Sequence, residues 1–387
     1  MNQPTRMEEF TENCRVMYLA LELGRKEWKL AFALEVGQKP RLRTIAAGDI
    51  LALLKEIEHA AQKLVVAESR YRVVSCYEAG RDGFWLHRQL VALGVDNVVV
   101  DAGSIEVSRR FRRAKTDKLD VQGLLSRLIR FGQGEKKVWS VVRVPTVEQE
   151  DGRQLSRELE SLKQERTRHR NRLLGLLASQ GVLHVKVSGD FVEQLSKLSL
   201  WDGQVLPPGL HGRLVREYER LEKLQEQIRE LEKQRQEQVM AESPSAAMEQ
   251  VKQLVLLKGI GMTSAWLFVR EFFGWRKFGN RREVASLAGL VPLPYQSGES
   301  IHQDQGISKA GNRRLRTMII EIAWMWLRFQ PRSRLSLWFQ ERYGPGSKRS
   351  RRVGIVGLAR KLLIELWRYL ETGAIPEGAV LKSCVRR

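Results

Sequence analysis

The chain has 387 residues, with 66 Lys or Arg against 45 Asp or Glu, a formal net charge of +21 and a pI near 10.2. At 43% hydrophobic and 29% charged residues, it has enough apolar material for two or three folded domains, which excludes a mostly disordered polyelectrolyte. A charge this high calls for a polyanionic partner. Three cysteines, Cys14, Cys76 and Cys384, follow no zinc-ligand spacing and exclude a disulfide scaffold, so a reducing cytoplasm is the expected setting. No apolar run approaches the roughly 20 residues of a membrane span. The acidic start of the chain lacks the apolar core of a signal peptide.

Val16–Glu22 and Glu27–Leu34 read as short strands joined by a turn at Leu23-Gly24-Arg25-Lys26, with a third strand at Arg41–Ala46. Asp49–Glu68 has helical periodicity, with Ile50, Leu53, Leu54, Ile57, Ala61 and Leu64 on one face. Val73–Tyr77 reads as a strand, Phe84–Leu93 as a helix and Asn97–Val100 as a strand. Thr116–Phe131 then reads as a helix whose apolar residues are Leu119, Leu124, Leu128 and Phe131. Three antiparallel strands followed by crossover units describe an α/β, ribonuclease-H-like domain over residues 1–150. A Rossmann layout fits less well, because no glycine-rich fingerprint follows the first strand.

Residues 151–245 read as a helical insert. Leu155–Leu177 is rich in Arg, Glu, Gln and Leu. Arg213–Met240 carries Leu214, Tyr218, Leu221, Leu224, Ile228 and Leu231 at three- and four-residue steps, which suits an antiparallel or intermolecular coiled coil. Residues 246–345 form a mainly helical, basic domain, and 346–387 read as a basic helical extension.

Four carboxylates stand out. Glu22 and Glu78 end the first and fourth strands, and Asp117 and Asp120 share a helix face. In this layout the first and fourth strands are neighbours, so the four acids can converge. Like charges gather only around cations, and hard oxygen donors suit Mg²⁺ or Mn²⁺. The alternative is that each acid is a solvated strand end or an ion-pair partner. Arg109, Arg110, Arg112, Arg113 and Lys115 precede the Asp pair and form a candidate phosphate-binding patch, or else a solvated loop.

Downstream, Leu257-Lys258-Gly259-Ile260-Gly261 is similar to a helix-hairpin-helix turn, with Gly259 and Gly261 allowing a phosphate to approach the backbone, or else an ordinary helical hairpin. Pro292 to Ser300 is a Pro/Gly-bounded loop bearing Ser297 before Gly298. Lys309, Asn312, Arg313, Arg314 and Arg316 follow it closely. A serine in such a loop is a phosphate contact, a turn residue or a nucleophile aided by nearby cations. His302 is the nearest candidate base, and no Ser-His-Asp order is visible. Arg328–Lys361 interleaves ten Lys or Arg with Trp338, Phe339 and Tyr343, suited to stacking on unpaired bases or to a partly buried helix with a charged outer face.

Together these segments resemble the IS110/IS1111 insertion-sequence transposases, the bridge-RNA-guided recombinases, over roughly residues 16–180 and 250–345. The first block carries Ala20-Leu21-Glu22-Leu23-Gly24, Tyr77-Glu78-Ala79-Gly80 and Ala114-Lys115-Thr116-Asp117-Lys118-Leu119-Asp120. The second carries Leu257-Lys258-Gly259-Ile260-Gly261, Leu287-Ala288-Gly289-Leu290-Val291-Pro292, Ser297-Gly298 and Gly306-Ile307-Ser308-Lys309-Ala310-Gly311-Asn312-Arg313. The resemblance implies a RuvC-like DEDD domain that binds Mg²⁺ or Mn²⁺ through Glu22, Glu78, Asp117 and Asp120. It also implies a transposase domain in which Ser297 becomes joined to DNA. DNA ends and target, a structured noncoding guide RNA, and a dimer assembling to a tetramer through the helical insert are the implied partners. A cytoplasmic, nucleoid-associated location follows. One position departs: the family's usual first Asp is Glu22, one methylene longer. A junction-type nuclease without a covalent intermediate, and a noncatalytic nucleic-acid-binding relic, are the competing functions.

Overall fold

The computed structural model describes residues 14–65, 70–105, 116–295 and 303–382. The chain divides into two compact units, Met1–Pro145 and Thr146–Arg387.

In the first unit, β1 (Cys14–Leu23), β2 (Glu27–Ala33), β3 (Arg41–Ala46), β4 (Arg70–Glu78) and β5 (Asp96–Val100) form one sheet in the order β3-β2-β1-β4-β5. β1 pairs antiparallel with β2 and parallel with β4, and β5 extends the parallel half. The first and fourth strands are therefore neighbours, as their order in the chain suggests. The central strand is apolar on both faces, as expected of a strand covered on both sides. Met17, Leu19 and Leu21 meet α1 (Ile50–Leu64) and α2 (Trp85–Ala92), while Tyr18 and Ala20 meet α3 (Asp117–Gly132).

Both longer helices begin at side-chain caps. Asp49 accepts from Ala52 N at 2.8 Å and Thr116 from Leu119 N at 3.3 Å. In α3 the buried stripe is Val121, Leu124, Leu125, Leu128 and Ile129. Leu119, read as part of the apolar side, is 38% exposed, because it lies off that stripe.

The second unit is mainly helical: α4 (Val147–Asp151), α5 (Gln154–Ala178), α6 (Phe191–Leu195), α7 (Pro208–Met240), α8 (Ala246–Leu256), α9 (Met262–Phe268), a π-helical turn Val269–Phe273, α10 (Arg281–Leu287), a hairpin of β6 (Pro292–Tyr295) and β7 (Gln303–Ile307), then α11 (Arg313–Phe329), α12 (Arg334–Tyr343) and α13 (Lys348–Thr372). α5 and α7 pair antiparallel within the chain. Lys163 reaches Glu232 near one end of the pair, and Arg172 reaches Glu217 nearer the other. The expected apolar face of α7 is buried at Leu214, Tyr218, Leu221, Leu224 and Ile228.

The main core joins α8, α9, the π-helical turn, α11 and α13. Ile355, Leu358, Leu362, Leu363 and Leu366 of α13 pack there with Trp266, Phe272 and Trp326. The segment read as a basic extension thus supplies a central core helix. The aromatics read as base-stacking candidates also pack inward. Phe339 is fully buried, Trp338 lies under Lys361 at 4.7 Å, and the Tyr343 ring crowds Gly354. Among the described residues no helix is long and apolar enough to cross a membrane.

The arm formed by α5 and α7 carries a buried carboxylate. Glu217 lies 2.8 Å from His169 Nδ1 and accepts from Arg172 at 2.6 Å and Arg220 at 3.0 Å. Burial pushes its carboxyl up, but the His169 hydrogen bond and the Arg172 charge outweigh this and hold it below the usual range. A depressed folded value gives stability that is complete above the unfolded pKa, about 4.3, and lost as pH falls through the folded value. Glu217→Gln is expected to lower the thermal midpoint at pH 7 and to flatten its fall in acid. Melts of both proteins from pH 7 to 3 check this, and parallel curves would refute it.

Candidate functional site

The carboxylates are placed by strand register. Leu21 of β1 is paired with Tyr77 of β4, so the next residues, Glu22 and Glu78, end adjacent parallel strands, about 4.8 Å apart across the sheet. Side chains alternate along a strand. Tyr18, Ala20, Val74 and Cys76 belong to the cluster under α3, so Glu22 and Glu78 project on that same face. On α3, Asp117 and Asp120 lie one turn before Val121 and Leu124 on the sheet-facing side.

The helix direction brings that turn to the strand ends. A Cβ on Gly132 would stand 2.5 Å from the Tyr18 hydroxyl, so the end of α3 packs against the Tyr18 side chain of β1. Its 16 residues reach back about 24 Å. Lys118 and Val121 in its first turns line a cleft with Lys29, Leu30, Leu42, Arg43 and Thr44, and Lys29 is the β2 partner of Glu22.

Glu22 and Glu78 thus share one end and one face of the sheet, the face covered by α3, whose first turn carries Asp117 and Asp120. Glu22 and Asp120 are half-buried, and Glu78 and Asp117 are exposed. Their donor set is purely carboxylate, the set that suits Mg²⁺ or Mn²⁺. Among the described residues, no three His, Cys, Asp or Glu side chains stand close enough to hold a metal ion. The fit is one of donor type and placement, without a closed coordination shell. Arg109, Arg110, Arg112, Arg113 and Lys115 lie outside the described residues.

In the second unit, two glycine loops close on each other at the base of the β6–β7 hairpin. Gly289 has φ +68° and Gly311 φ +77°, values that only glycine adopts freely. An added Cβ at Gly289 would strike Ala310 O, and one at Gly311 would strike Leu287 O. Ser308 N donates to Val291 O at 2.9 Å and Lys309 N to Gly289 O at 3.2 Å. Arg316 Nη1 ties the loops by donating to Ala288 O at 3.3 Å and Ala310 O at 3.1 Å. Asn312 caps α11, its Oδ1 accepting from Leu315 N at 3.2 Å, while its Nδ2 donates to Glu271 at 3.0 Å.

Of the basic-loop candidates, Arg316 and Asn312 therefore bond within the protein, and Lys309 and Arg313 face solvent. Lys309 takes φ +56°, a left-handed conformation costing a non-glycine residue about 1–2 kcal/mol. Ser297, Gly298 and His302 fall in 296–302, between β6 and β7 and outside the described residues.

The two glycines of the other turn differ. Gly259, at φ +91°, is packed 3.4 Å from Phe329 Cβ by the position its Cβ would take, while Gly261 caps α9 with open space around it. Gln330, almost fully buried, clamps this turn: its Nε2 donates to Lys258 O at 2.9 Å and Val380 O at 2.8 Å, and its Oε1 accepts from Val380 N at 2.8 Å.

The sequence reading missed Glu271 as well as the β6–β7 hairpin. Glu271 is a lone carboxylate inside the apolar run Val269-Arg270-Glu271-Phe272-Phe273, and that isolation was the available signal.

Residues 251–337 match the profile of the transposase IS116/IS110/IS902 family. A Sinorhizobium fredii protein named as a transposase, y4rJ, is 43% identical over 95% of this chain and 95% of its own length. Another from the same organism, y4qE, also named as a transposase, is 30% identical over 67% of this chain and 60% of its own.

The glycine contacts separate two substitutions. Gly311→Ala meets both the backbone clash and the positive φ, and is expected to destabilise the protein by about 3 kcal/mol or more. Gly261→Ala meets neither and is expected to cost under about 1 kcal/mol. Chemical denaturation of both variants checks this, and equal losses would contradict it.

Proposed function

The chain belongs to the IS116/IS110/IS902 transposase family, and from that membership we propose that it is an RNA-guided DNA recombinase, joining element ends to a target through a RuvC-like carboxylate unit and the Ser297 nucleophile. What supports the reading is that Glu22 and Glu78 stand at the ends of adjacent parallel strands, on the face covered by α3, the helix whose first turn carries Asp117 and Asp120. The serine assignment rests on the Tyr-Gln-Ser-Gly segment and the resemblance it carries. The arm of α5 and α7 is the assembly element, through which dimers associate into a tetramer.

Each group has a role its chemistry supports. The four carboxylates would hold Mg²⁺ or Mn²⁺, which when bound would supply positive charge where a phosphodiester gains negative charge. Glu22 serves in place of Asp by reaching one methylene further from its strand end. Lys29, Arg43 and Lys118 bind the backbone phosphates that approach this edge. Arg109, Arg110, Arg112, Arg113 and Lys115, immediately before α3 in the chain, add further phosphate-binding charge. The Ser297 oxygen forms a bond to phosphorus, the bond to one sugar oxygen breaks, and Lys309 and Arg313 offset the charge on the phosphoryl oxygens. The serine gives up its proton and the departing sugar oxygen takes one up; with no local Ser-His-Asp order, the carboxylate unit of the assembled complex is the proton acceptor. Gly261, where an added Cβ would meet nothing within 4 Å, is the better of the two turn glycines for backbone contact.

Two outcomes test this. Asp120→Asn keeps the side-chain shape and removes one charged ligand, so strand exchange is expected to fall on the order of 100-fold or more while nucleic-acid binding persists. Normal strand exchange by this variant would remove the carboxylate site from the account. The protein is also expected to retain a structured RNA on purification and to prefer it to random duplex DNA, with affinity falling about 10³–10⁵-fold between 50 and 200 mM salt. Equal affinity for every polyanion, with no RNA retained, would contradict guidance.

A further inference from the structure

The second unit contains a buried polar centre for which the roles above leave no task. Glu271 is 2% exposed and lies in the π-helical turn Val269–Phe273, a conformation often found at functional positions. Arg157 of α5 binds it with both prongs, Nε to Oε1 at 2.8 Å and Nη2 to Oε2 at 3.1 Å. Asn312 Nδ2 donates to the same Oε2 at 3.0 Å. One carboxylate thus joins the base of the arm to the residue that starts α11.

The geometry suggests a purpose beyond stability. A buried ion pair is often no more stabilising than apolar residues of the same volume, but it fixes direction. Asn312 needs only Oδ1 to cap α11, and its bond to Glu271 adds an orientation that the cap alone does not require. It follows directly on Lys309, Ala310 and Gly311, where the left-handed Lys309 and the close-packed Gly311 leave little freedom. Strained backbone of this kind persists only where its surroundings hold it. β7 and the segment containing Ser297 lead straight into this loop.

We propose that Glu271 is a positioning residue: by holding Asn312 it sets the loop Gly306–Asn312 and the hairpin above it, and through Arg157 it makes that setting depend on the seating of α5. The proposal deepens the recombinase reading and rests on it for the identity of the group being positioned.

A charge relocation tests it in the full-length protein. Asn312→Asp keeps an equally good cap but sets a second carboxylate against Glu271, and strand exchange is expected to fall about tenfold or more. Glu271→Gln combined with Asn312→Asp restores the hydrogen bond to residue 312 with the carboxylate moved across it, while the Gln oxygen keeps one Arg157 contact and its amide gives up the other, so activity is expected to recover at least about threefold above the single variant. Amide exchange of residues 308–312 reports the loop directly: faster in Asn312→Asp, restored in the double variant. Had Asn312 acted only by touching nucleic acid, changing Glu271 would not rescue it. An unrescued double variant, or amide exchange unchanged in Asn312→Asp, overturns the proposal. If the rescue holds in amide exchange while Ser297→Ala remains active, the positioning role stands and the serine assignment falls.

Discussion

The close approach of two backbones, Gly289 against Ala310 and Gly311 against Leu287, is the constraint on which the second unit's functional end depends. It leaves no room for a side chain at either glycine. The contact joins the end of α10 to the start of α11, so the β6–β7 hairpin rises from a base whose two sides are locked by hydrogen bonds. Arg316 reinforces the base by bonding to a carbonyl from each loop. A functional loop must be held by something stiffer than itself. Here that stiffness comes from backbone contact between the two glycine-centred turns, which the proposed role of the serine segment would draw on.

The first unit solves a different problem with register. Two glutamates come to the ends of neighbouring strands because parallel pairing sets Leu21 opposite Tyr77, and α3, with two aspartates in its first turn, covers the same face. Such an arrangement of like charges repels itself unless cations are near. The chain places Lys29, Arg43 and Lys118 in the adjacent cleft. The same three groups are the ones the proposed function assigns to phosphates, so one set of cations would serve both the local acids and a polyanion.

Much of this was legible in the sequence where periodicity is clean. The strands around Leu19, Phe32 and Val74 alternate or run apolar, and their order predicts that β1 and β4 are neighbours. The buried face of α7 follows from Leu214, Tyr218, Leu221 and Leu224 at helical steps. Composition misled where charge and burial share one helix. The cations at the start of α13 obscured the stripe of Ile355, Leu358, Leu362 and Leu366, which is core. Leu119 looked like core because it is apolar, yet the stripe passes it by. The contacts of Gln330 with Lys258 and of Asn312 with Glu271 were not legible, since they join residues 40 or more positions apart. The β6–β7 hairpin was hidden by Pro292 and Pro294, which argue against a strand except at an edge.

The central claim is that DNA becomes covalently joined to this chain at one serine in the hairpin segment. Peptide mapping of the protein–DNA adduct trapped during strand exchange tests it most directly. The account predicts a single nucleotide-bearing peptide modified at Ser297. An adduct at any other residue, or active strand exchange with no adduct, would contradict it.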